Sequence, residues 1–550
     1  MTRAEQVSEY LKCKNNVIYF ITTYCMIELA GGDIPFPLYG KQKELIRDII
    51  KFHNICVLKS RQTGISTTLQ GLACWLVTFH DNIKVGILSK DGAEATAFAR
   101  SIRTLVEKLP VWMNPKFSKY TEQTFSLKNG SMVISSTVNP IEPTKTLRGK
   151  SLSWLIIDEA AFINRMDIAW ESLVPAISTA QKAARDAKMP YGTIIVSTPN
   201  KTTGMGAWYF KKYQSAILNS ENDINEIGKF RSFVVYWKDI KELANDPTWY
   251  QAQCNFFEGD QRKIKQELEL HFLPTTGSFF EENTCSQLQE NTRNIEPKQI
   301  LKLFNGEVWV FDDPKPNKHY LIGIDTASEY GNDRSAITIW DYETLDQVWE
   351  YQGKIPVTDF EKVVDYACAQ YTGTVVVERN SYGNQIVEHI ERGNFYTSMY
   401  KQKVGEQLKT GLTTDLKTRP LMIDALYSYV SQYPQMVKSK RLAIELIGLV
   451  TKKNGKVEAD SGCNDDLALT LSFCAYVRKY DPPLMLELEK GHDTILEGVL
   501  SMNYDRMFFK DSLEESPSLA DMNAKIMKHT KEEVTSFTDS FVNVMSFYNK

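Results

Sequence analysis

Between residues 50 and 200 the chain alternates short apolar runs with longer mixed stretches: Asn54-Ile-Cys-Val-Leu58, Lys84-Val-Gly-Ile-Leu88, Ser131-Met-Val-Ile-Ser135, Trp154-Leu-Ile-Ile157 and Thr193-Ile-Ile-Val196. The runs have the length and character of strands, and several of the gaps are long enough for crossover helices. That alternation predicts an α/β fold with a mostly parallel, doubly wound sheet. A ligand site in such a sheet lies beyond the carboxyl ends of its strands.

Other bulk properties frame this sheet. At 550 residues the chain exceeds what one ordinary core holds, so two large domains with a connector or tail are expected. Its 43% hydrophobic and 24% charged residues describe a globular protein, not a disordered or fibrous one. No stretch has the uninterrupted apolar length of a membrane span, and the start Met1-Thr-Arg-Ala-Glu lacks a signal peptide's apolar core. The expectation is an intracellular protein with no membrane partner. Nine scattered cysteines without a CxxC pair argue against zinc or redox chemistry.

The net charge of -4 counts against a passive nucleic-acid coat, but the charge is uneven. Lys401 to Arg441 holds eight basic residues against three acidic ones, a candidate DNA-facing patch that also reads as a solvated surface. From Asp481 to Lys550, 13 acidic residues face 7 basic ones, and the segment opens on Pro482-Pro483. It reads as an acidic tail with short helices.

A different element order begins near residue 319. Three strand-like runs, Tyr320 to Ile324, Ser335 to Trp340 and Gln347 to Gln352, lie close together before a helix from Asp359 to Gln370, a strand from Thr374 to Val377 and another helix. Short links between the first three imply an antiparallel start and hence a second domain of another topology. Pro274 and Gly277 break the preceding periodicity. The division that follows is an N-terminal domain over 1–275, a linker over 276–305, a second domain over 306–480 and the tail over 481–550.

The first run leads directly into Lys59-Ser60-Arg61-Gln62-Thr63-Gly64-Ile65-Ser66-Thr67, and Thr68 to Phe79 reads as a helix. Strand, turn and helix in this order let backbone N–H groups and a helix N-terminus surround phosphates. The segment departs from the P-loop pattern G-x-x-x-x-G-K-S/T, with Lys59 at the first glycine position and Ile65 at the lysine position. Either Lys59 or Arg61 could supply the missing charge from the start of the loop, and Ser66 could offer its hydroxyl to Mg²⁺. Alone, this is also an ordinary strand-to-helix turn.

Its context is more specific. The run Trp154 to Ile157 ends in Asp158-Glu159, an arrangement in which one carboxylate holds Mg²⁺ and the next polarises an attacking water. The run Thr193 to Val196 ends in Ser197-Thr198-Pro-Asn200, whose polar groups could sense a γ-phosphate.

The second domain carries its own constellation. Asp325 ends the first of its strands, Asp333 opens the next, Glu378 ends a later one, and Asn464-Asp465-Asp466 opens a helix running to about Tyr480. Carboxylates at these element ends suit hard cations bound through oxygen. Two such ions about 4 Å apart would activate water and stabilise the leaving oxygen of a phosphodiester. Singly, Asp465 is a helix cap, Asp333 a turn residue and Glu378 an edge charge.

Taken together, the motifs between about residues 38 and 475 resemble large terminase subunits of tailed double-stranded DNA phages, with Gln42 in Tyr39-Gly-Lys-Gln-Lys-Glu44 as a further element. The resemblance implies an N-terminal P-loop (ASCE-type) ATPase joined to a C-terminal RNase H-like nuclease. Gln42 would read adenine, the Thr-Pro segment would couple hydrolysis to movement, and a lysine at the start of the loop, here Lys59, has precedent. Arg148 in Thr146-Leu-Arg-Gly149 would act as an arginine finger in a neighbouring subunit's site. Asp325, Glu378 and the pair Asp465-Asp466 would hold the nuclease metals, with Asn464 standing where many relatives have His. Gly411 to Arg419 resembles the family's substrate-side loop.

The same resemblance implies ATP and Mg²⁺, with Mn²⁺ an option at the nuclease. It also implies double-stranded DNA, a portal protein and a small terminase subunit as partners, in a homo-oligomeric ring, a pentamer, on the prohead. The setting would be the host cytoplasm. A helicase-nuclease of recombination or repair, or a non-catalytic structural relative of the ATPase, would share some of these motifs. The first would need a second nucleotide-gripping domain with its own arginine motifs, which the sequence does not display.

Overall fold

The apolar runs of the N-terminal half become strands of one eight-stranded sheet, in the order Arg231–Val235, Asn54–Lys59, Gly192–Ser197, Trp154–Ile157, Lys84–Ser89, Met132–Thr137, Thr124–Leu127 and Phe117–Tyr120. The first six are mutually parallel and the last two join antiparallel. In this computed structural model the described residues are 1–29, 31–219, 228–275, 277–303, 306–316, 318–327, 333–379, 382–393, 398–404, 407–460 and 463–480. The tail expected over 481–550 lies outside them.

Burial explains the assignments. All positions of Asn54–Lys59 and Gly192–Ser197 are buried, which is why they read as continuous apolar runs and not as alternating ones. Helix Ile65–Phe79 follows its strand into the same core and is apolar almost all round. Helix Gly40–Phe52 instead shows the 3.6-residue period, with Leu45, Ile46, Ile49 and Phe52 inward. The three strands ending in the sequence motifs, at Lys59, Ile157 and Ser197, are neighbours. Their parallel pairing brings all three ends to one edge of the sheet.

The second sheet runs Gln299–Leu303, Gly306–Val310, Gln347–Gly353, Ser335–Asp341, Tyr320–Asp325, Gly373–Val377 and Ser398–Met399. Pairing is antiparallel as far as Tyr320–Asp325 and parallel beyond it. The stretch 276–305 is therefore more than the linker read from sequence. It carries helix Glu282–Arg293, with Cys285 and Leu288 buried, and then the first edge strand of this sheet. That strand is largely exposed, so it lacks the apolar pattern that marks the inner ones.

Helix Asp466–Tyr480 crosses Tyr320–Asp325 so closely that a Cβ on Gly323 would lie 2.4 Å from the Thr470 carbonyl oxygen. Only glycine fits at this crossing, and the crossing sets the start of the helix beside the end of the strand.

One hydrophobic core runs through both halves. It includes Cys56, Ile157, Tyr209 and Phe210 from the first, and Leu321, Trp340, Leu442, Leu467 and Leu471 from the second. Helix Ala207–Leu218 contributes to it directly. A chain segment also links the halves: Leu273 N–H donates to the Asn200 carbonyl at 3.1 Å, and Phe279 N–H donates to the Leu449 carbonyl at 2.9 Å. The cysteines are all unpaired, and most are buried as small core residues. Among the described residues no helix is long and apolar enough to cross a membrane.

A buried ion pair ties helix Lys440–Ile447 to the second sheet. Arg441 Nε donates to Glu350 Oε1 at 2.8 Å, and Ser439 Oγ and Gln347 Nε2 donate to the same carboxylate at 2.7 and 2.9 Å. Both charged side chains are almost completely enclosed, so removing one leaves the other's charge buried and uncompensated. We expect Arg441→Ala to cost about 3–5 kcal/mol, read as a lower urea midpoint of unfolding. Arg441→Lys should recover only part of it.

Candidate functional site

The turn after Asn54–Lys59 reverses through Gln62 and Gly64, whose φ angles are +59° and +69°. At Gly64 a Cβ would lie 2.7 Å from Gln42 Nε2. The enclosed Gln42 side chain instead clamps the loop, donating from Nε2 to the Thr63 carbonyl at 3.0 Å and accepting from Tyr39 N–H at 2.9 Å. Around this turn lies a pocket of about 340 Å³, lined by Lys59, Arg61, Gln62, Thr63, Gly64, Ile65, Ser66 and Thr67, with Lys90, Glu94, Glu159, Phe162 and Glu267.

Lys59 and Glu159 come from different strands and meet across the pocket, Nζ donating to Oε1 at 3.1 Å. Beside them Ser66 Oγ donates to Asp158 Oδ2 at 2.9 Å. Burial pushes the Asp158 carboxyl above the usual range, the Lys59 ammonium pulls it back, and the Glu159 charge raises it again. Arg61 is in a different position. Its side chain is 55% exposed and pairs with Glu267 at 3.4 Å. Ser60 turns away from the pocket as a strut, donating to the Leu268 carbonyl at 2.7 Å and accepting from Trp237 N–H at 3.2 Å.

The Ser197–Asn200 turn sits one layer behind. Ser197 Oγ accepts from Ala161 N–H at 3.1 Å, and Asn200 Nδ2 donates to the Ala161 carbonyl at 2.9 Å, so this turn grips the peptide just past Glu159. Thr198 is buried, does not line the pocket, and its hydroxyl has no hydrogen-bond partner among the described residues. Arg148 is exposed and also outside the pocket lining. Sequence reasoning passed over Lys90, Glu94, Phe162 and Glu267. Lys90 and Glu94 follow a parallel strand, Lys84–Ser89, so the rule that ligands bind at strand ends could have found them. Glu267 comes from a distant helix, Gln261–Glu267, and carries no local signal.

The second centre gathers where the helix crosses the sheet. Asp325 ends its strand and is 8% exposed. Glu378 follows Gly373–Val377 and donates its N–H to the Ile324 carbonyl at 3.2 Å. Asp333 stands exposed ahead of Ser335–Asp341. Asp466 begins its helix fully enclosed, its Oδ2 accepting from Asn464 Nδ2 at 3.2 Å and Gln352 Nε2 at 3.3 Å. Asp465 is engaged elsewhere, its Oδ2 accepting from Ala459 N–H at 3.0 Å.

These carboxyls repel one another. Burial, then the charges of Glu378, Asp466, Asp465 and Asp333, push the Asp325 carboxyl well above its ordinary range. Burial pushes Asp466 up to about 7; the Asn464 amide opposes this, and Asp465 and Asp333 add to it. A residue missed from sequence, Glu445, supports the group. Its enclosed carboxylate accepts from Leu467 N–H at 2.8 Å, Ala468 N–H at 3.1 Å and Gln352 Nε2 at 2.8 Å. A glutamate within the apolar run Leu442-Ala-Ile-Glu-Leu-Ile447 was the available signal.

As a donor set, the buried carboxyls of Asp325 and Asp466, whose proton affinity is raised, fit a hard divalent cation together with the nearby Glu378, and the cation would relieve their repulsion. The fit is one of chemistry and not of finished geometry. Among the described residues no three carboxyl, imidazole or thiol groups already converge as an ion-holding cage.

No protein-family model matches the sequence. The chain is similar in structure to large terminases from several phages. The bacteriophage HK97 large terminase is 13% identical, with 84% of this chain and 99% of that chain covered and a TM-score of 0.38. The large terminase ATPase domain of Thermus phage P74-26 is 18% identical, covering 43% of this chain and 95% of that one with a TM-score of 0.32. The large terminase nuclease of thermophilic phage G20c with bound magnesium is 16% identical, covering 37% of this chain and 98% of its own with a TM-score of 0.28.

Proposed function

We propose that the chain is a phage terminase large subunit: an ATPase that drives double-stranded DNA into a prohead, fused to a nuclease that cuts concatemeric DNA. The observation carrying this reading is the meeting of Lys59 with Glu159 beside the Ser66–Asp158 pair at a parallel sheet edge, on one chain with a cluster of carboxyls around the buried Asp325.

In the N-terminal pocket, backbone N–H groups of the loop and the start of helix Ile65–Phe79 cradle the phosphates of ATP. Lys59 supplies the charge that Ile65 cannot, since it is enclosed in the pocket whereas Arg61 is mostly in solvent. Ser66 and Asp158 would provide oxygen ligands for Mg²⁺, and Glu159 would orient the attacking water. The turn at Ser197–Asn200 holds the peptide after Glu159 and so is placed to feel any shift of that carboxylate. Gln42 fixes the loop that faces the base. Arg148, exposed, is free to complete the site of a neighbouring copy in a ring.

In the C-terminal centre Asp325, Glu378 and Asp466 would hold Mg²⁺ or Mn²⁺, with Asp333 and Asp465 as further carboxylates. A bound ion there supplies a water activated for attack on the phosphodiester and charge for its leaving oxygen. The protein's own part is to hold the carboxylates on rigid strand and helix ends. Docking on a portal protein, with a small terminase subunit and as a pentameric ring in the host cytoplasm, belongs to the same proposal.

Separate substitutions test the two centres. Glu159→Gln should lower DNA-stimulated ATP turnover by about 10²-fold or more and leave metal-dependent plasmid cleavage intact; Asp325→Asn should do the reverse, and loss of both activities in either variant would contradict independent centres. For the phosphate contact, steady-state kinetics should show Lys59→Ala nearly inactive and Arg61→Ala retaining most of its turnover. The opposite ranking would transfer the role to Arg61. Supercoiled plasmid incubated with Mg²⁺ or Mn²⁺ should be cut by the wild-type chain and not by Asp325→Ala prepared identically.

A further inference from the structure

We infer that the nuclease centre is completed by a residue of the ATPase half: Gln214 is a positioning residue for Asp466. This rests on the proposed nuclease reading and deepens it.

Gln214 lies on helix Ala207–Leu218, which belongs to the N-terminal core: earlier on the same helix, Tyr209 Oη donates to the Val57 carbonyl at 2.6 Å, beneath the strand that ends at Lys59. The Gln214 side chain is 1% exposed. Its Nε2 donates to the Asn464 carbonyl at 3.2 Å, and its Oε1 accepts from Asn464 N–H at 3.2 Å. A primary amide is the side-chain group that offers one donor and one acceptor side by side, so it can close a two-bond ring on a single residue's backbone. Neither a carboxylate nor an alkyl group can do so.

The residue so clamped stands two positions before Asp466, and its own amide Nδ2 donates to Asp466 Oδ2 at 3.2 Å. Gln352 Nε2 reaches the same oxygen at 3.3 Å from the second sheet. Asp466 therefore has orienting contacts from its own domain, Gln352 and the Arg334 backbone N–H, and one from a residue whose backbone is held by the other domain. Nearby packing reinforces the clamp. A Cβ on Gly448 would sit 3.3 Å from Phe210 Cε1, and Lys211 Nζ lies 3.9 Å from Asp460 Oδ2, so the helix is docked against Gly448 and Asp460 as well as Asn464.

Partners of this kind orient a metal-binding carboxylate, and their loss commonly weakens metal affinity or activity about 10- to 100-fold. Without Gln214, Asn464 loses its backbone anchor, and the firmly placed contacts left to Asp466 are those of its own domain, Gln352 and the Arg334 backbone N–H. The ATP pocket contains neither group.

The test uses the full chain and four proteins: wild type, Gln214→Ala, the isosteric Gln214→Glu and Asp325→Ala. Mn²⁺ binding is followed by the electron paramagnetic resonance signal of free Mn²⁺, beside plasmid cleavage against Mn²⁺ concentration and ATP turnover. The expected result is Mn²⁺ binding weakened about 10- to 100-fold in both Gln214 variants, cleavage largely restored at saturating Mn²⁺, and ATP turnover unchanged. A merely structural role would lower cleavage at every metal concentration and ATP turnover with it, and that outcome overturns the proposal. So does unaltered Mn²⁺ binding in Gln214→Glu, which keeps the packing volume if Gln214→Ala fails to fold. If wild type and Asp325→Ala bind Mn²⁺ equally, the metal reading itself falls and this inference falls with it, a result distinct from a Gln214 effect alone.

Discussion

The docking of helix Ala207–Leu218 into a core shared by both sheets is the constraint on which both centres depend. Its Tyr209 hydroxyl bonds the strand that delivers Lys59, and its Gln214 amide bonds the backbone that delivers Asp466. Side chains of both halves pack around it in a single apolar cluster. Interfaces between domains of one chain are commonly polar and leave room for relative motion. Here the contact includes fully buried aromatic and aliphatic groups, and burying such a side chain contributes about 1.5–3 kcal/mol. The two chemistries share one scaffold, not a tether.

That scaffold holds two sites of different electrostatic character. Around the loop after Lys59, cations and carboxylates interleave, so each charge has a partner: Lys59 with Glu159, Arg61 with Glu267, Lys90 with Glu94. A polyphosphate entering such a site exchanges partners and does not have to create them. Around Asp325 the carboxyls face one another and burial raises their affinity for protons. Glu445 extends the contrast, since its carboxylate is satisfied by two N–H groups at the start of helix Asp466–Tyr480. Burial and the neighbouring Asp466 charge push the Glu445 carboxyl well above its ordinary range as well.

Much of this was legible in the amino-acid sequence because the fold buries its strands on both faces. The runs ending at Leu58, Ile157 and Val196 are apolar without interruption, and each terminates in polar residues. Strand identity and the site edge follow from that pattern alone. Tyr320–Asp325, Ser335–Asp341 and Gly373–Val377 were readable for the same reason. Gln299–Leu303 was not, because an exposed edge strand shows no apolar periodicity. Contacts made across the fold were also invisible. Gln214 and Asn464 are 250 residues apart, and an isolated glutamine on a helix gives no sign of what it will meet. The difference in burial between Lys59 and Arg61 was likewise beyond what two neighbouring cations in sequence reveal.

The substitution of Ile65 for the usual loop lysine has a physical logic once the packing is seen. Ile65 is 1% exposed and belongs to the apolar cluster beneath the sheet, so it anchors the first turn of the helix in the core. A lysine there would need its ammonium extended back into the pocket. Lys59 starts instead from the last position of a fully buried strand, paired with Val235 on one side and directly after Leu58, which pairs with Ser197 on the other. Its side chain then points from rigid β-structure directly at Glu159. A cation held on a strand in this way is preorganised, and a charge already in position needs no rearrangement to stabilise charge that develops beside it.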